Sequence, residues 1–273
     1  MQTASRESYA AAAARLAAYA ESAVPDALAA TAGEIDTVAR LLGREPRLRR
    51  ALSDPARAGR DRAELLRGLL DGRASAATLD VLGTLVAGRW SAPGELLTAA
   101  ETLVVDALLA AADKAGELAE VEDELFRFGQ VAAGTPALRS ALGDSTTDPV
   151  RRAGLVADLL GGKAGSVTVR LAELAVRGFG GRGFEAALGR LVELAAERRE
   201  RQVAYVTVAA PLDAAAQSRL GAALAAQYGR EVSMRFTVDP AVVGGISVQV
   251  GADLYDGTIA RRLAETRQAL TAR

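Results

Sequence analysis

Residues 46–54 read PRLRRALSD, and residues 136–144, 90 positions later, read PALRSALGD. The same offset places RAELLRGLLDGRASAAT from Arg62 beside RAGLVADLLGGKAGSVT from Arg152. Between residues 46–88 and 136–178, 16 of the 43 aligned positions are identical and the register never changes. The matched leucines and glycines are residue types that set the buried face and the end of a helix. The repeat therefore predicts a duplicated packing unit rather than a duplicated chemical site.

Helical periodicity extends outward from the repeat, from the N-terminus to about residue 200. In residues 5–21, Tyr9, Ala13, Leu16 and Tyr19 recur at spacings of three and four, which predicts an amphipathic first helix with Ser5 as its N-cap. Five further helices are predicted before the second copy, at about residues 26–43, 46–52, 56–71, 74–88 and 93–113.

Past residue 200 the hydrophobic period changes to two, which is typical of half-buried strands. Strands are predicted in QVAYVTVAA from Gln202, around Val232 to Val238, and around Ile246 to Val250. A helix is predicted between the first two, capped by Asp213 and closed by Gly229, and a last helix after residue 257 is marked by Ile259, Leu263, Thr266 and Leu270. Between the third strand and this helix, a turn is predicted through Gly251 and Asp253.

The predicted fold is mainly α, with two tandem helical bundles followed by a small α+β domain. The boundaries are an N-terminal bundle at 1–113, a duplicated bundle at 114–201 and a C-terminal domain at 202–273.

Composition excludes several functional classes. The 273 residues include no cysteine and no histidine, which removes thiolate nucleophiles, imidazole bases and ordinary zinc sites. We therefore expect no catalytic residue, no metal and no cofactor. The 33 basic and 34 acidic residues form no block of one sign, so nucleic acid is not an expected partner. No segment approaches the roughly 20 apolar residues that cross a bilayer, so we expect no direct membrane insertion.

Three local patterns are typical of other kinds of site. The segment RGFGGRGF spaces Gly178, Gly180 and Gly183 like a dinucleotide fingerprint, but a helix is predicted before it where that motif needs a strand. An interhelical turn is favoured, and a nucleotide-binding enzyme using residues 178–183 is the alternative. The GGK ending at Lys163 favours a helix C-cap over a phosphate loop. The acidic cluster at residues 120–124 is interpreted as a solvated helix face.

The segment VGGISVQVGADLYDGTIARRL from Val243 carries a family resemblance. It resembles the C-terminal signature of delta subunits of bacterial F-type ATP synthases and of the mitochondrial oligomycin-sensitivity-conferring protein. The positions that match are Gly244, Gly245, Asp256, Gly257, Arg261 and Leu263. The paired glycines suit a tight strand entry, Asp256 is placed to cap a helix, and Gly257 is expected to permit an unusual backbone turn. The duplication accounts for the extra length of the chain, and enlarged delta regions are a feature of actinobacterial enzymes.

The resemblance implies a non-catalytic scaffold of the ATP synthase peripheral stalk. Its helical domain would bind N-terminal helices of alpha subunits, and its C-terminal domain would meet the C-terminal stalk of the b subunit. It would lie peripherally on the cytoplasmic face of the bacterial plasma membrane and resist rotor torque during ATP synthesis coupled to proton transport. A helical adaptor unconnected with ATP synthase is a further alternative.

The family receives the alpha helix in a groove between the first and fifth helices of the bundle. Carried onto this chain, the resemblance implies contacts by Tyr9, Ala13 and Leu16 in the first helix and by Val81 and Leu85 in the fifth. The same residues could instead fill the core of the bundle. The second copy has its own fifth helix around residues 167–176, so either copy could complete the groove. Trp90 is interpreted as a packing residue at the bundle end rather than an interface anchor.

Overall fold

A computed structural model describes residues 1–200, 203–228, 232–239, 242, 244–250, 253–259 and 261. It divides into two compact units, Met1–Ala195 and Ala196–Arg273. The first unit contains the predicted N-terminal bundle and residues 114–195 of the predicted second bundle, and the division at residue 113 into separate domains stays a prediction. The mainly α character and the small C-terminal α+β part are confirmed.

The first unit is built from α-helices whose bounds repeat with the offset seen in the sequence. The helices of the first copy are α1 (Thr3–Ser22), α2 (Pro25–Arg44), α3 (Pro46–Ser53), α4 (Gly59–Leu70), α5 (Ala76–Ala87) and α6 (Pro93–Ala115). Those that follow are α7 (Leu118–Gly134), α8 (Pro136–Gly143), α9 (Pro149–Leu160), α10 (Ser166–Val176), a short 3-10 turn (Phe179–Gly181) and α11 (Phe184–Glu200). Helices α3, α4 and α5 thus lie 90 residues before α8, α9 and α10.

Helix α6 belongs to both copies. It corresponds to α1 at the start of the first copy, and α11 corresponds to α6 one repeat later. It contacts α1, α2, α3 and α5 on the side of the first copy, and α7 and α10 on the side of the second. Twelve of its residues are buried, because a helix with neighbours all round must be apolar all round. One hydrophobic cluster accordingly runs from Ala12 to Ala195 through both copies.

The start of α1 differs from the sequence prediction. The helix begins at Thr3 with Gln2 as its N-cap, three residues before the predicted N-cap Ser5, so that prediction is wrong. Ser5 is instead fully buried, where its hydroxyl accepts a hydrogen bond from Ser91 N at 3.0 Å. The interpretation of Trp90 is confirmed: its ring is buried and Nε1 donates to Leu85 O at 3.1 Å.

The C-terminal unit is a four-stranded sheet with one described helix. Its elements are β1 (Val203–Val208), α12 (Ala214–Tyr228), β2 (Ser233–Val238), β3 (Ile246–Val250) and β4 (Asp253–Asp256). The strand order is β2-β1-β3-β4, with β1 parallel to β2 and antiparallel to β3. Ala204, Val206, Val208, Val248 and Val250 form its core with residues of α12.

The three predicted strands and the Asp213 cap are confirmed, since Ala216 N donates to Asp213 Oδ1 at 2.6 Å. Strand β4 corrects the sequence prediction, which placed Asp253 in a turn. The alternation in the four residues DLYD is too short to predict a strand from the sequence. In the structure these residues form a strand because they pair with β3. Gln202, Gly229, Gly251 and the last-helix residues Leu263, Thr266 and Leu270 lie outside the described residues.

Among the residues that the structure describes, no helix has both the length and the apolar character needed to cross a bilayer.

Candidate partner-binding surfaces

Helix α1 is held directly against α5 by small residues. Gly88, at the end of α5, leaves no room for a Cβ atom, which would overlap the side chain of Ser8. The Ser8 hydroxyl donates to Arg89 O at 2.8 Å, so the close approach also satisfies a backbone carbonyl. The first and fifth helices therefore form one continuous packed surface.

The structure places most of the predicted contact residues inside this packing. The five residues are Tyr9, Ala13, Leu16, Val81 and Leu85. Leu16, Val81 and Leu85 are fully buried in the bundle core, and Tyr9 and Ala13 are half-buried. The Tyr9 hydroxyl donates to Asp106 Oδ2 on α6 at 2.6 Å. Only Tyr9 and Ala13 thus present surface to a partner, and a partner-binding role for any of the five stays a prediction.

The solvent side of α5 carries different residues, which the sequence interpretation missed. Asp80 and Ala87 are exposed and Gly83 is half-buried, and a side chain added at Gly83 would meet open space. Their spacing of three and four puts them on one helix face. The spacing was readable from the sequence, but the contacts that the family resemblance implies include three residues of the core face, Leu16, Val81 and Leu85.

In the second copy the corresponding face of α10 is bridged to α2. The counterparts of Asp80, Gly83 and Ala87, 90 residues later, are Arg170, Glu173 and Arg177. Arg177 donates from both terminal nitrogens to the two carboxylate oxygens of Asp36, each at 3.0 Å. Arg170 Nη1 donates to the carbonyl of residue 29 at 2.7 Å. Bidentate arginine–carboxylate pairs are among the strongest polar contacts in proteins, so this contact fixes the second copy on the first.

The bridge belongs to a crowded set of charges, which we call the inter-copy cluster: Asp36, Arg40, Glu101, Glu173 and Arg177. These residues line a cavity of about 520 Å³ between α2, α6, α9 and α10. Burial raises the pKa of Glu101, although Gly180 N donates to it at 2.9 Å and Arg177 lies near. Burial likewise raises the pKa of Glu173. Burial therefore disfavours the charged forms of Glu101 and Glu173, although Arg177 lies close to both.

We expect Glu101→Gln to stabilise the protein at pH 7 and to have no such effect near pH 4. A carboxyl whose folded pKa is raised contributes stability below its unfolded pKa and loses that contribution as pH rises through the folded value. The glutamine removes the charge that is disfavoured at neutral pH. Urea unfolding at the two pH values measures the difference.

The matched control is Glu95→Gln, because the pKa of Glu95 is lowered, chiefly by the hydrogen bond from Ser5. That substitution should destabilise at pH 7, and its effect should fade as the pH falls below the ordinary glutamate pKa. If both substitutions changed the free energy of unfolding at pH 7 in the same direction, burial would not have the effect that we assign to it at Glu101.

A second repeated feature caps the fifth helix of each copy. Glu34 on α2 accepts a hydrogen bond from the N-cap backbone of α5 at 2.9 Å and another from the buried hydroxyl of Thr78. One repeat later, Glu124 accepts from Gly165 N at 3.0 Å and from the Thr168 hydroxyl at 2.5 Å. A carboxylate at a helix N-terminus satisfies free N–H groups and complements the helix dipole. The prediction that residues 120–124 are only a solvated face is therefore wrong for Glu124.

The glycine segments that resembled phosphate sites are helix ends. Gly161 is the C-cap of α9, as predicted, and its N–H donates to Ala157 O at 2.8 Å. Residues 178–183 follow α10 rather than a strand, which confirms the interhelical turn. Gly180 N already donates to a carboxylate there, so a phosphate at that position would meet negative charge. The alternative of a nucleotide site loses its structural support.

The signature residues of the C-terminal unit pack on one another. Gly244 and Gly245 have φ of 97° and 91°, which confirms the tight strand entry. Asp256 Oδ1 accepts from Thr258 N at 3.0 Å, a local cap of the following residues. The expectation for Gly257 is wrong, since its φ is not positive; it lies close to Ile246 O, where a Cβ would stand at 3.1 Å.

The other two signature residues lie at the end of the described segment. Arg261 N donates to Thr258 Oγ1 at 3.3 Å, and Leu263 falls outside the described residues. The described part of the signature therefore holds β3 against the segment after β4.

The signature region lies within a match to a protein-family model. The model described as ATP synthase delta (OSCP) subunit matches residues 105–270, which is more than half of the chain. The chain belongs to the ATP synthase delta (OSCP) subunit family. This membership excludes the alternative of a helical adaptor unrelated to that family.

Relatives named ATP synthase subunit delta match the delta-family chain along nearly its full length. The Salinispora arenicola protein is 65% identical over 269 residues, covering 98% of both chains. The Streptomyces griseus protein is 47% identical over 270 residues and 99% of both chains, and the Thermobifida fusca protein is 43% identical over 248 residues, covering 90% of this chain and 92% of its own.

The family match identifies which copy is common to the wider delta family. It begins at residue 105, within α6, and so covers the second copy and the C-terminal unit. The first copy lies outside this match, and we call it the added copy; the relatives above share it. All five predicted contact residues lie in this added copy, outside the family match.

Proposed function

We propose that this delta-family chain is a non-catalytic scaffold of the ATP synthase peripheral stalk. Its helical unit binds an N-terminal helix of an alpha subunit, and its C-terminal unit binds the C-terminal part of the b subunit. The chain lies peripherally on the cytoplasmic face of the plasma membrane and resists the torque that the rotor exerts on the catalytic head. Such a role needs rigid joints and exposed helix-binding surfaces rather than reactive groups.

The observation that carries the alpha contact is the difference between the two fifth helices. In the family-matched copy, the outward face of α10 is bridged to α2 by two arginines. In the added copy, the equivalent face of α5 carries only small residues and Asp80, and it is open. A helix packs closely against such a face, because small residues allow the two backbones to approach. We therefore propose α5 of the first copy, with the half-buried edge of α1, as the site for the alpha helix.

We expect Gly83→Leu to weaken the binding of a synthetic alpha N-terminal peptide by at least about tenfold, because the added side chain would occupy the space of the incoming helix. The substitution should leave the fold intact, since nothing lies within 4 Å of the added Cβ and leucine favours a helix over glycine. Isothermal titration calorimetry with the full-length chain measures the affinity.

The control is Gly68→Leu on α4, another mid-helix glycine with no atom within 4 Å of an added Cβ. It carries the same change in helix propensity on a different helix and should bind the peptide like the unmodified chain. Unchanged affinity in Gly83→Leu would reject α5 of the first copy as the alpha site.

A row of exposed residues on the C-terminal sheet supports the contact with the b subunit. Tyr205 pairs with Gln249, and Gln249 pairs with Leu254, so the three side chains share the sheet face opposite the buried valines. Tyr205 and Leu254 are about half exposed, at 49% and 60%. An exposed aromatic and an exposed aliphatic side chain on one sheet face, with an amide between them, can pack against an amphipathic helix of a partner. We propose that the b subunit packs on this row.

A further inference from the structure

The stretch around α3 and α4 carries an excess of arginine that its counterpart in the second copy lacks. Residues 40–73 contain ten arginines and five acidic residues, whereas residues 130–163 contain three arginines, one lysine and three acidic residues. Both stretches belong to the same chain, so a bias of the whole sequence toward arginine would affect them equally. The excess in the first copy therefore has a local cause.

The arginines that stand at the same position in both copies serve the fold. Arg62 is buried and donates to five backbone carbonyls. Its counterpart Arg152 is also buried and donates to a carbonyl of α8 at 3.0 Å. Arg49 donates to a carbonyl of α2 at 2.9 Å, and its counterpart Arg139 forms an ion pair with α11 at 3.8 Å. The arginines that only the first copy has are thus additional to those that the bundle uses.

Three of these additional arginines lie close together at the start of α3, and we call them the arginine cluster: Arg44, Arg47 and Arg50. All three are exposed, and the residues 90 positions later are glycine, alanine and serine. Arg47 and Arg50 lie about one turn apart on α3, and Arg44 ends the preceding helix. The other side of α3 is packed in the core through Leu52, so the cluster is on the solvent side of this helix.

The described part of the chain does not neutralise the arginine cluster. Within that part, Arg44 and Arg47 make no hydrogen bond or ion pair, and Arg50 donates only to the carbonyl of residue 46, at 3.3 Å. Other exposed arginines of the same stretch differ, since Arg57 and Arg60 each lie within 4.0 Å of a carboxylate of a nearby residue. The cluster therefore presents three guanidinium groups without a carboxylate partner among the described residues.

The chemistry of the arginine cluster favours carboxylates of a protein over nucleic acid or a lipid surface. Residues 40–73 contain no aromatic side chain that could stack on a base, and five acidic residues interrupt the arginines. Segments that bind anionic membranes typically bring about four to eight basic residues, whereas the cluster has three beside the exposed Glu45. A guanidinium group binds a carboxylate through two parallel hydrogen bonds, which gives such a contact a defined geometry.

We propose that the arginine cluster binds an acidic segment of another ATP synthase subunit. The segment presents at least two Asp or Glu side chains, about one helical turn apart, to Arg47 and Arg50. Exposed ion pairs contribute little free energy individually, so the cluster orients the segment rather than supplying most of its affinity. The inference rests on the proposed function for the assembly in which the partner is sought, but it concerns a surface on α3 instead of the alpha site on α5.

The test uses lysine as a reactive substitute for arginine. Arg44→Lys, Arg47→Lys and Arg50→Lys, made singly, keep the positive charge, and the chain has only two other lysines, Lys114 and Lys163. ATP synthase carrying each variant is purified and treated with a carbodiimide. The reagent activates a carboxylate, the neighbouring amine attacks it, and an amide forms with release of a urea. We expect mass spectrometry to find an amide between the introduced amine and an Asp or Glu of another subunit.

The matched control is Arg60→Lys, because the Arg60 side chain is 83% exposed and already lies beside Asp61 and Glu64. That variant should give amides only within the chain. The inference is overturned if the three cluster variants form an amide only to this chain or to a lipid, or form none.

A second variant removes charge from α3 while keeping residues that a folded copy already has. Arg47→Ala with Arg50→Ser gives α3 the residues of α8 at the same positions. With Arg44→Lys as the crosslinking position, the yield of the amide to the other subunit should fall by about tenfold, because two of the three groups that hold the segment are gone. An unchanged yield would also overturn the inference.

Co-purification with ATP synthase tests the proposed function separately. A chain that co-purifies but forms no amide to another subunit retains the proposed function and loses the inference about the arginine cluster. A chain that is absent from purified ATP synthase loses both.

Discussion

Replacing Arg177 with alanine should lower the free energy of unfolding of the helical unit by about 3 kcal/mol, the cost typical of removing one partner from a buried ion pair. Arg177 holds Asp36 through two hydrogen bonds of 3.0 Å, and both side chains are less than one-fifth exposed. Its loss leaves Asp36, Glu101 and Glu173 close together with less positive charge. The penalty therefore exceeds that of an ordinary surface salt bridge.

The measurement is urea unfolding at pH 7, followed by amide hydrogen exchange of the native protein. Exchange should accelerate first in α2 and α10, because Arg177 joins these two helices across the boundary between the copies. The matched control is Arg127→Ala, which removes an exposed ion pair with Asp123 at 2.6 Å. Exposed pairs within one helix typically contribute less than about 0.5 kcal/mol.

If Arg177→Ala and Arg127→Ala lowered the free energy of unfolding equally, apolar packing around α6 alone would join the two copies. In that case the rigidity of the helical unit would come from the shared helix α6. The alanine variant thus distinguishes a polar from an apolar joint within the same unit.

The helix bounds of the first unit were largely predictable because each helix carries its own start and stop signals. Pro46 and Pro136 begin α3 and α8, and the glycines at 72 and 162 follow α4 and α9 in left-handed conformations. These signals are local, and they recur 90 residues later, so a helix predicted in one copy is supported by the same signals in the other. The dual role of α6 was harder to predict, since apolar residues all round a helix do not say which neighbours cover them.

The polar contacts between the copies could not be predicted from the sequence. Asp36 and Arg177 are 141 residues apart, and neither position is conserved between the copies: their counterparts are Phe126 and Ala87. A sequence repeat identifies the residues that both copies share, whereas the polar contact between the copies is made by residues at which they differ. Three of the residues that the family resemblance implies for the alpha contact, Leu16, Val81 and Leu85, lie in the core, because apolar residues at helical spacing mark the core face of a helix.

Replacing Gly245 with alanine should lower the free energy of unfolding of the C-terminal unit by about 4 kcal/mol or more, within the range of severe backbone conflicts. The residue has φ of 91°, and an added Cβ would lie 2.5 Å from Gly257 O and 2.8 Å from Thr258 Cα. Both atoms belong to the backbone, so no side-chain rotation relieves the overlap. The segment after β4 would have to move away from β3.

Gly244→Ala separates backbone strain from collision. Its φ of 97° carries similar strain, but the added Cβ would meet Ile259 Cδ1 at 2.9 Å, the end of a flexible side chain. We expect a loss of about 1–2 kcal/mol, the ordinary cost of a left-handed non-glycine residue. Gly154→Ala on α9, with ordinary φ and no atom within 4 Å, should be neutral or slightly stabilising.

The location of the effect distinguishes this prediction from general destabilisation. Residues 196–273 form their own compact unit, so hydrogen exchange in Gly245→Ala should rise in β1, β3 and α12 and stay unchanged in α1–α10. Binding of the b subunit should fall with it, while binding of the alpha peptide should persist. Equal destabilisation by alanine at 244 and 245 would mean that φ alone makes these glycines necessary. A larger loss at 245 would mean that glycine is needed there because the segment after β4 lies directly against the backbone of residue 245. Any side chain at 245 would then separate that segment from β3.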